Sequence, residues 1–145
     1  MPYARLNDKM SVAPQITPDD LPELVQQGFK AVVCNRPDFE VPPDLSSEAM
    51  RAACEGAGVA FFNNPLAPGG LTGEAVTAQA QAMNATDGPV LAYCASGTRS
   101  AILWAFATAG DNEMTSQDIL KALDTAGYAF PGIGPQLEQF SSQNT

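Results

Sequence analysis

The sequence predicts an α/β fold, with a mainly parallel central sheet and helices on both faces. Three observations predict it. Short apolar runs rich in β-branched and aromatic residues alternate with helix-like segments along the chain. Those runs show no polar alternation, which is the pattern of strands covered on both faces. Most helix-like segments open on a Thr or Ser and several close on Gly, the usual start and stop chemistry.

In chain order, Val12 to Ile16 reads as a short edge strand. Thr17-Pro18-Asp19-Asp20 opens a helix: Thr17 caps, Pro18 takes the first helical position, and Asp20 sits at the box position. Leu21, Leu24 and Val25 follow at helical spacing until Gly28. Phe29 to Cys34 is a buried strand, broken by Asn35-Arg36-Pro37-Asp38 because proline cannot donate to a ladder. Asp38 to Leu45 is an acidic, proline-rich loop. Ser46 or Ser47 caps the next helix, with Met50, Ala53, Cys54 and Ala57 on one face. Val59 to Phe62 is a third strand, and Asn63 to Gly70 is a loop. Thr72 opens a helix with Val76, Ala80 and Met83 at helical spacing. Pro89 to Tyr93 is a strand. Ser100 to Ala109 is apolar nearly all round, which marks a buried helix. Thr115-Ser116-Gln117-Asp118 caps a helix carrying Ile119, Leu120, Leu123 and Ala126, stopped by Gly127. Gly134-Pro135 starts a last helix with Leu137 and Phe140, and the polar tail from about Ser141 to Thr145 is expected to fray.

The chain has 145 residues with no repeat or linker, so residues 1–145 are expected to form one domain. With 45 % hydrophobic residues it can build a core. A net charge of −9 without a basic stretch argues against nucleic acid and against anionic membranes. No apolar run reaches the length of a membrane span, and Met1 to Met10 shows no signal-peptide core. An odd count of three cysteines fits reduced thiols and a cytoplasmic location. With no His and no Cys-x-x-Cys pair, zinc is not expected, and no cofactor is implied.

Ligands of open parallel sheets sit beyond the carboxyl ends of the strands. Three polar clusters end strands here: Asn35-Arg36-Pro37-Asp38, Asn63-Asn64-Pro65 and Cys94-Ala95-Ser96-Gly97-Thr98-Arg99. All three are expected on one rim. The last runs from a strand through a glycine-containing loop into a helix. Such a loop points backbone N–H groups into a concavity at a helix N-terminus, which favours an anion. The same field favours a thiolate, so Cys94 is the candidate nucleophile. Arg99 is the candidate anion clamp, because a cation at a helix N-terminus opposes the dipole unless an anion joins it. Ala95, Ser96, Gly97 and Thr98 supply the cradle, with Gly97 taking a backbone angle other residues resist. Ser96, Thr98 and Ser100 can either stabilise the thiolate or cap the helix. Arg36 and Asp38 admit two readings: a loop-stabilising ion pair, or a second anion contact with an acid beside it. Cys34 is strand core or a resolving thiol; Cys54 and Trp104 are core.

These pieces resemble the phosphatase-like domain of the beta-lactamase hydrolase-like family, a bacterial group. The matching residues are Pro14-Gln15-Ile16, Gly28-Phe29-Lys30, Asn35-Arg36-Pro37-Asp38 with Glu40, Tyr93-Cys94, Ser96-Gly97-Thr98-Arg99-Ser100 and Ala126-Gly127-Tyr128. The resemblance implies a three-layer fold similar to protein tyrosine and dual-specificity phosphatases, with Cys94 as nucleophile and Arg99 as clamp. Members of the family are described as phosphatase-like or as sulfur transferases, and some accompany sulfur-oxidising metallohydrolase domains. The sequence departs from the phosphatase pattern at three points. Four residues rather than five separate Cys94 from Arg99, Tyr93 stands where a His is usual, and the loop Asn63 to Gly70 carries no acid. Rhodanese-type sulfurtransferases often use a loop of this shorter length.

The expectation is therefore a cysteine enzyme acting on a small oxyanion or sulfane-sulfur substrate. The leading chemistry is sulfur transfer through a Cys94 persulfide to a thiol acceptor. The alternative is phosphatase chemistry through a phosphocysteine, with Asp38 as acid. A non-catalytic oxyanion-binding module is the third reading.

Overall fold

In a computed structural model, the structure describes residues 3–67, 69–130 and 132–143. Five strands, β1 (Ala4–Arg5), β2 (Met10–Ala13), β3 (Ala31–Cys34), β4 (Ala60–Asn63) and β5 (Val90–Tyr93), form one sheet in the order β1-β2-β5-β3-β4. Among the described residues only the β1–β2 pairing is antiparallel. β2, β3 and β5 are buried at every position, which is why their sequences show apolar runs without alternation.

The helices are α1 (Leu21–Gln26), α2 (Ser47–Gly56), α3 (Gly73–Met83), α4 (Thr98–Gly110), α5 (Ser116–Thr125) and α6 (Gly134–Gln143). Two apolar clusters lie on opposite faces of the sheet. One gathers Leu21, Leu24, Met50 and Cys54 against Val32, Leu91 and Tyr93. The other gathers Val76, Leu103, Trp104, Ile119 and Leu137 against Val33 and Ala92. α4 carries the second cluster and is buried along most of its length, as its all-round apolarity predicts. Ser46, Thr72 and Thr115 cap α2, α3 and α5 by accepting the N–H of Ala49, Ala75 and Asp118. Asp20 accepts the Thr17 N–H at 2.8 Å, but its first turn, Pro18–Asp20, is a 3-10 helix leading into a short α1.

Two expectations change. The strand placed at Val12 to Ile16 occupies Met10–Ala13 and is not an edge, because β1 pairs outside it. α6 extends to Gln143, and residues 144–145 of the tail lie outside the described residues. The loop after β3 contains two 3-10 turns, Asp38–Glu40 and Pro43–Leu45. No helix among the described residues is long and apolar enough to cross a membrane.

Candidate active site

The parallel register brings the strand ends together. β3 lies between β4 and β5, with Cys34 opposite both Asn63 and Tyr93. Past the last paired residues, Asn35 N–H donates to Tyr93 C=O at 2.8 Å and Asn64 N–H to Cys34 C=O at 2.8 Å. The three polar clusters thus share one rim.

A buried amide network ties that rim together. Asn35 Nδ2 donates to Gln79 Oε1 at 2.8 Å and to Asn64 C=O at 2.9 Å. Gln79 Nε2 donates back to Asn35 Oδ1 at 3.1 Å, and Asn64 Nδ2 donates to Gln79 Oε1 at 2.9 Å. Ser100 Oγ joins by donating to Asn35 Oδ1 at 2.8 Å. Of the two readings of Ser100, thiolate partner or helix cap, neither is what its hydroxyl does here: it ties the start of α4 to Asn35 after β3. Burying these groups is tolerable because each finds a partner.

Cys94 follows β5 directly and is fully buried, while Ala95 and Ser96 are exposed at the mouth of the loop. Gly97 has φ +92°, the left-handed region that favours glycine, and this turns its N–H onto Cys94 Sγ at 3.1 Å. Ser96 Oγ lies 3.0 Å from Thr98 Oγ1 and accepts the Thr98 N–H at 3.4 Å. Those two hydroxyls shape the helix start rather than touch the sulfur. The Gly97 N–H, at the start of α4, thus points at the sulfur.

Arg99 presents two edges. Nη1 donates to Glu40 Oε2 at 2.9 Å and to Leu66 C=O at 2.7 Å, and Nη2 donates to Glu40 Oε1 at 2.8 Å. A guanidinium has five N–H donors. Nε–H and the second Nη2–H form the other edge, and no oxygen of a described residue accepts from it. The Glu40 carboxylate, chiefly, holds Arg99 above its ordinary value, and the Cys94 sulfur acts in the same direction.

Arg36 reaches the same carboxylate. Its Nε donates to Glu40 Oε1 at 3.2 Å, its Nη2 to Glu40 C=O at 3.1 Å, and its Nη1 to Gln15 Oε1 at 3.3 Å. Arg99 above all, with help from Arg36, holds Glu40 below its usual carboxylate value of 4.5. The Arg36–Asp38 ion pair offered by the sequence does not form among the described residues, and Arg36 pairs with Glu40. Asp38 reaches the start of α2. Its Oδ1 accepts the Ser47 N–H at 2.7 Å and its Oδ2 accepts the Ser47 hydroxyl at 2.9 Å, at the start of α2. Cys34 is buried, its thiol donates to Arg36 C=O at 3.3 Å, and burial pushes it up. Cys54 is pushed up to about 12 by burial. No group of three His, Cys, Asp or Glu able to hold a metal occurs among the described residues.

Sequence reading missed the tasks of Glu40, Gln79 and Tyr128. Glu40 carried a local signal, since it lies four residues after Arg36. Gln79 sits three residues after Val76 on the buried side of α3. The Tyr128 hydroxyl donates to Ser96 C=O at 3.2 Å, across 32 residues.

The family model described as beta-lactamase hydrolase-like protein, phosphatase-like domain, matches residues 3–111. The chain belongs to this family. The beta-lactamase hydrolase-like protein of Agrobacterium fabrum is 31 % identical over 142 residues, which is 98 % of this chain and 33 % of that protein. The Xylella fastidiosa (Temecula1) protein of the same name is 28 % identical over 119 residues, 82 % of this chain and 28 % of that one. The chain thus spans about a third of the length of these family members. A candidate phosphatase from Neisseria meningitidis has a solved structure with TM-score 0.79 and 29 % identity, covering 94 % of this chain and 96 % of that one. PTPMT1 shares the fold at TM-score 0.72 and 16 % identity, covering 98 % of this chain and 95 % of that one. The architecture is that of the protein tyrosine phosphatase-like three-layer fold.

Proposed function

We propose that residues 1–145 act as one unit, an enzyme in which Cys94 takes sulfane sulfur from a small anionic donor and passes it to a thiol. The supporting observation is the commitment of the two carboxylates beside the cradle. Glu40 is shared by Arg36 and Arg99, and both oxygens of Asp38 accept from Ser47. An alkoxide leaving from phosphorus needs a proton, and acid help is worth roughly 10²–10⁴-fold. Sulfite leaving from thiosulfate needs none.

In this reading the Cys94 thiolate attacks the outer sulfur of thiosulfate. A Cys94–sulfur bond forms, the donor's sulfur–sulfur bond breaks, and sulfite departs with the electron pair. The cradle N–H groups and the Nε–Nη2 edge of Arg99 hold the donor's oxygens as charge moves onto them. An acceptor thiolate then attacks the outer sulfur of the persulfide, and Cys94 leaves as thiolate.

The phosphatase reading has its own support in the family's phosphatase-like domain and in the fold. A neighbour of that fold, PTPMT1, is known in complex with PI(5)P at 15 % identity and TM-score 0.76. There, Cys94 would take a phosphoryl group from a monoester and water would release it.

Incubation with thiosulfate, and separately with para-nitrophenyl phosphate, decides between them. Sulfur transfer requires a mass gain of one sulfur atom with release of sulfite, absent in Cys94→Ser and removed by an added thiol. Phosphate release that depends on Cys94, without the sulfur adduct, overturns it in favour of the phosphatase. Neither outcome leaves a protein that only binds oxyanions.

A further inference from the structure

We propose that Tyr128 is a positioning residue for Cys94, acting through the peptide group between Ser96 and Gly97. The inference rests on Cys94 being the nucleophile and holds whichever group it carries.

The Ser96 C=O and the Gly97 N–H belong to one peptide plane. In a trans peptide they point in opposite directions, so fixing one aims the other. Tyr128 Oη donates to the Ser96 C=O at 3.2 Å, and the Gly97 N–H donates to Cys94 Sγ at 3.1 Å. The chain therefore runs from phenol to peptide to sulfur. A hydrogen bond accepted at the carbonyl also polarises the N–H of the same unit, which strengthens its donation.

Two further observations place the phenol firmly. A Cβ on Gly97 would stand 2.1 Å from Tyr128 Oη, so the hydroxyl lies directly over this residue. Tyr128 enters from the end of α5, where Gly127 has φ +93° and Tyr128 N–H donates to Leu123 C=O at 2.8 Å. Its ring packs on the α4–α5 side of the core. Burial, and then the nearby Cys94 sulfur, hold the phenol above its usual value, so it stays a donor at neutral pH. The ionisable groups around the loop are Cys94 itself, Cys34 at the end of the neighbouring β3, Arg99 at the start of α4, and Glu40 with Arg36 behind it on the turn after β3.

The test is the pH dependence of Cys94 alkylation by iodoacetamide, read from the mass of the Cys94 peptide. Parent, Tyr128→Phe and Tyr128→Leu proteins are compared, with thermal unfolding measured in parallel. Loss of the hydroxyl is expected to move the alkylation midpoint to higher pH while the high-pH rate stays the same. Below the midpoint this slows alkylation about threefold, the size of a modest hydrogen bond. Phe and Leu are expected to share that midpoint, although Leu also lowers stability. An unchanged midpoint in Tyr128→Phe overturns the proposal, as does a shift seen only with Leu. A parent Cys94 that resists alkylation at every pH overturns the nucleophile reading and this proposal with it. The assay uses no substrate, so a failure here is separable from the sulfur-or-phosphate question.

Discussion

The loop after β5 and the turn after β3 sit side by side on the rim and handle charge in different ways. The loop Cys94–Arg99 prepares for a negative group with backbone hydrogens, a helix N-terminus and one edge of a guanidinium. The turn Asp38–Glu40 supplies negative charge through side chains, and each carboxylate is already satisfied. In the proposed function the loop receives the substrate anion. The turn is a brace that spends one edge of Arg99 so that the other edge stays fixed. The difference teaches that a carboxylate near a candidate nucleophile must be weighed by what it already accepts.

The largest expected effect comes from the residue the two regions share. Arg99→Lys removes the planar fork, which a point charge does not replace. Persulfide formation from thiosulfate is expected to slow on the order of 10²-fold in single-turnover mass measurements, as for loss of a transition-state donor. A rate within threefold of the parent would break the idea that the free edge of Arg99 holds the donor.

Gln79→Leu tests whether the amide network supports both regions. It removes the Gln79 partners of Asn35 and Asn64, leaving Asn35 with Ser100 and the Asn64 C=O and leaving Asn64 with the Ala75 C=O, and roughly 1–3 kcal/mol of stability is expected to be lost in urea unfolding. A loss below about 0.5 kcal/mol would mean that the network does not bear on the rim.

Glu40→Gln sharpens the role of the brace. Because Glu40 is held below its ordinary 4.5, it contributes stability fully present above that pH and lost as the pH falls through its lowered value. The parent is therefore expected to exceed Glu40→Gln in stability at neutral pH, by a margin that closes only below pH 4.5. A margin unaffected by acid would contradict the ion-pair account.

The smallest effect belongs to Asp38→Asn. An amide oxygen can still accept from Ser47, so about 0.5–1 kcal/mol of stability is expected to go. Sulfur transfer should stay within about twofold, since no charged step runs through this residue. Abolished phosphate release in this variant would restore Asp38 as an acid.

What the sequence makes legible follows the same division. The strands β3, β4 and β5 and the caps of α2, α3 and α5 are written in contiguous residues, and they lie where periodicity and capping put them. β1 has only two residues and pairs with β2, so it leaves no periodic trace, and β2 is misplaced with it. The partners of Arg36, Asp38 and Ser100 depend on which strand ends meet. Glu40 and Arg99 are 59 positions apart, and Asn35 and Ser100 are 65 apart. Local charge pattern pairs Arg36 with Asp38, whereas the 3-10 turn swings Asp38 to α2 and brings Glu40 under both guanidinium groups.

The most direct measurement is a crystal structure of the Cys94→Ser protein soaked in thiosulfate. The account requires the oxyanion to accept backbone N–H groups of the Ala95–Arg99 loop and the Nε and Nη2 donors of Arg99, at about 2.7–3.2 Å, with Glu40 still on the opposite edge. An oxyanion that displaces Glu40 from Arg99, or settles away from the loop amides, would contradict it.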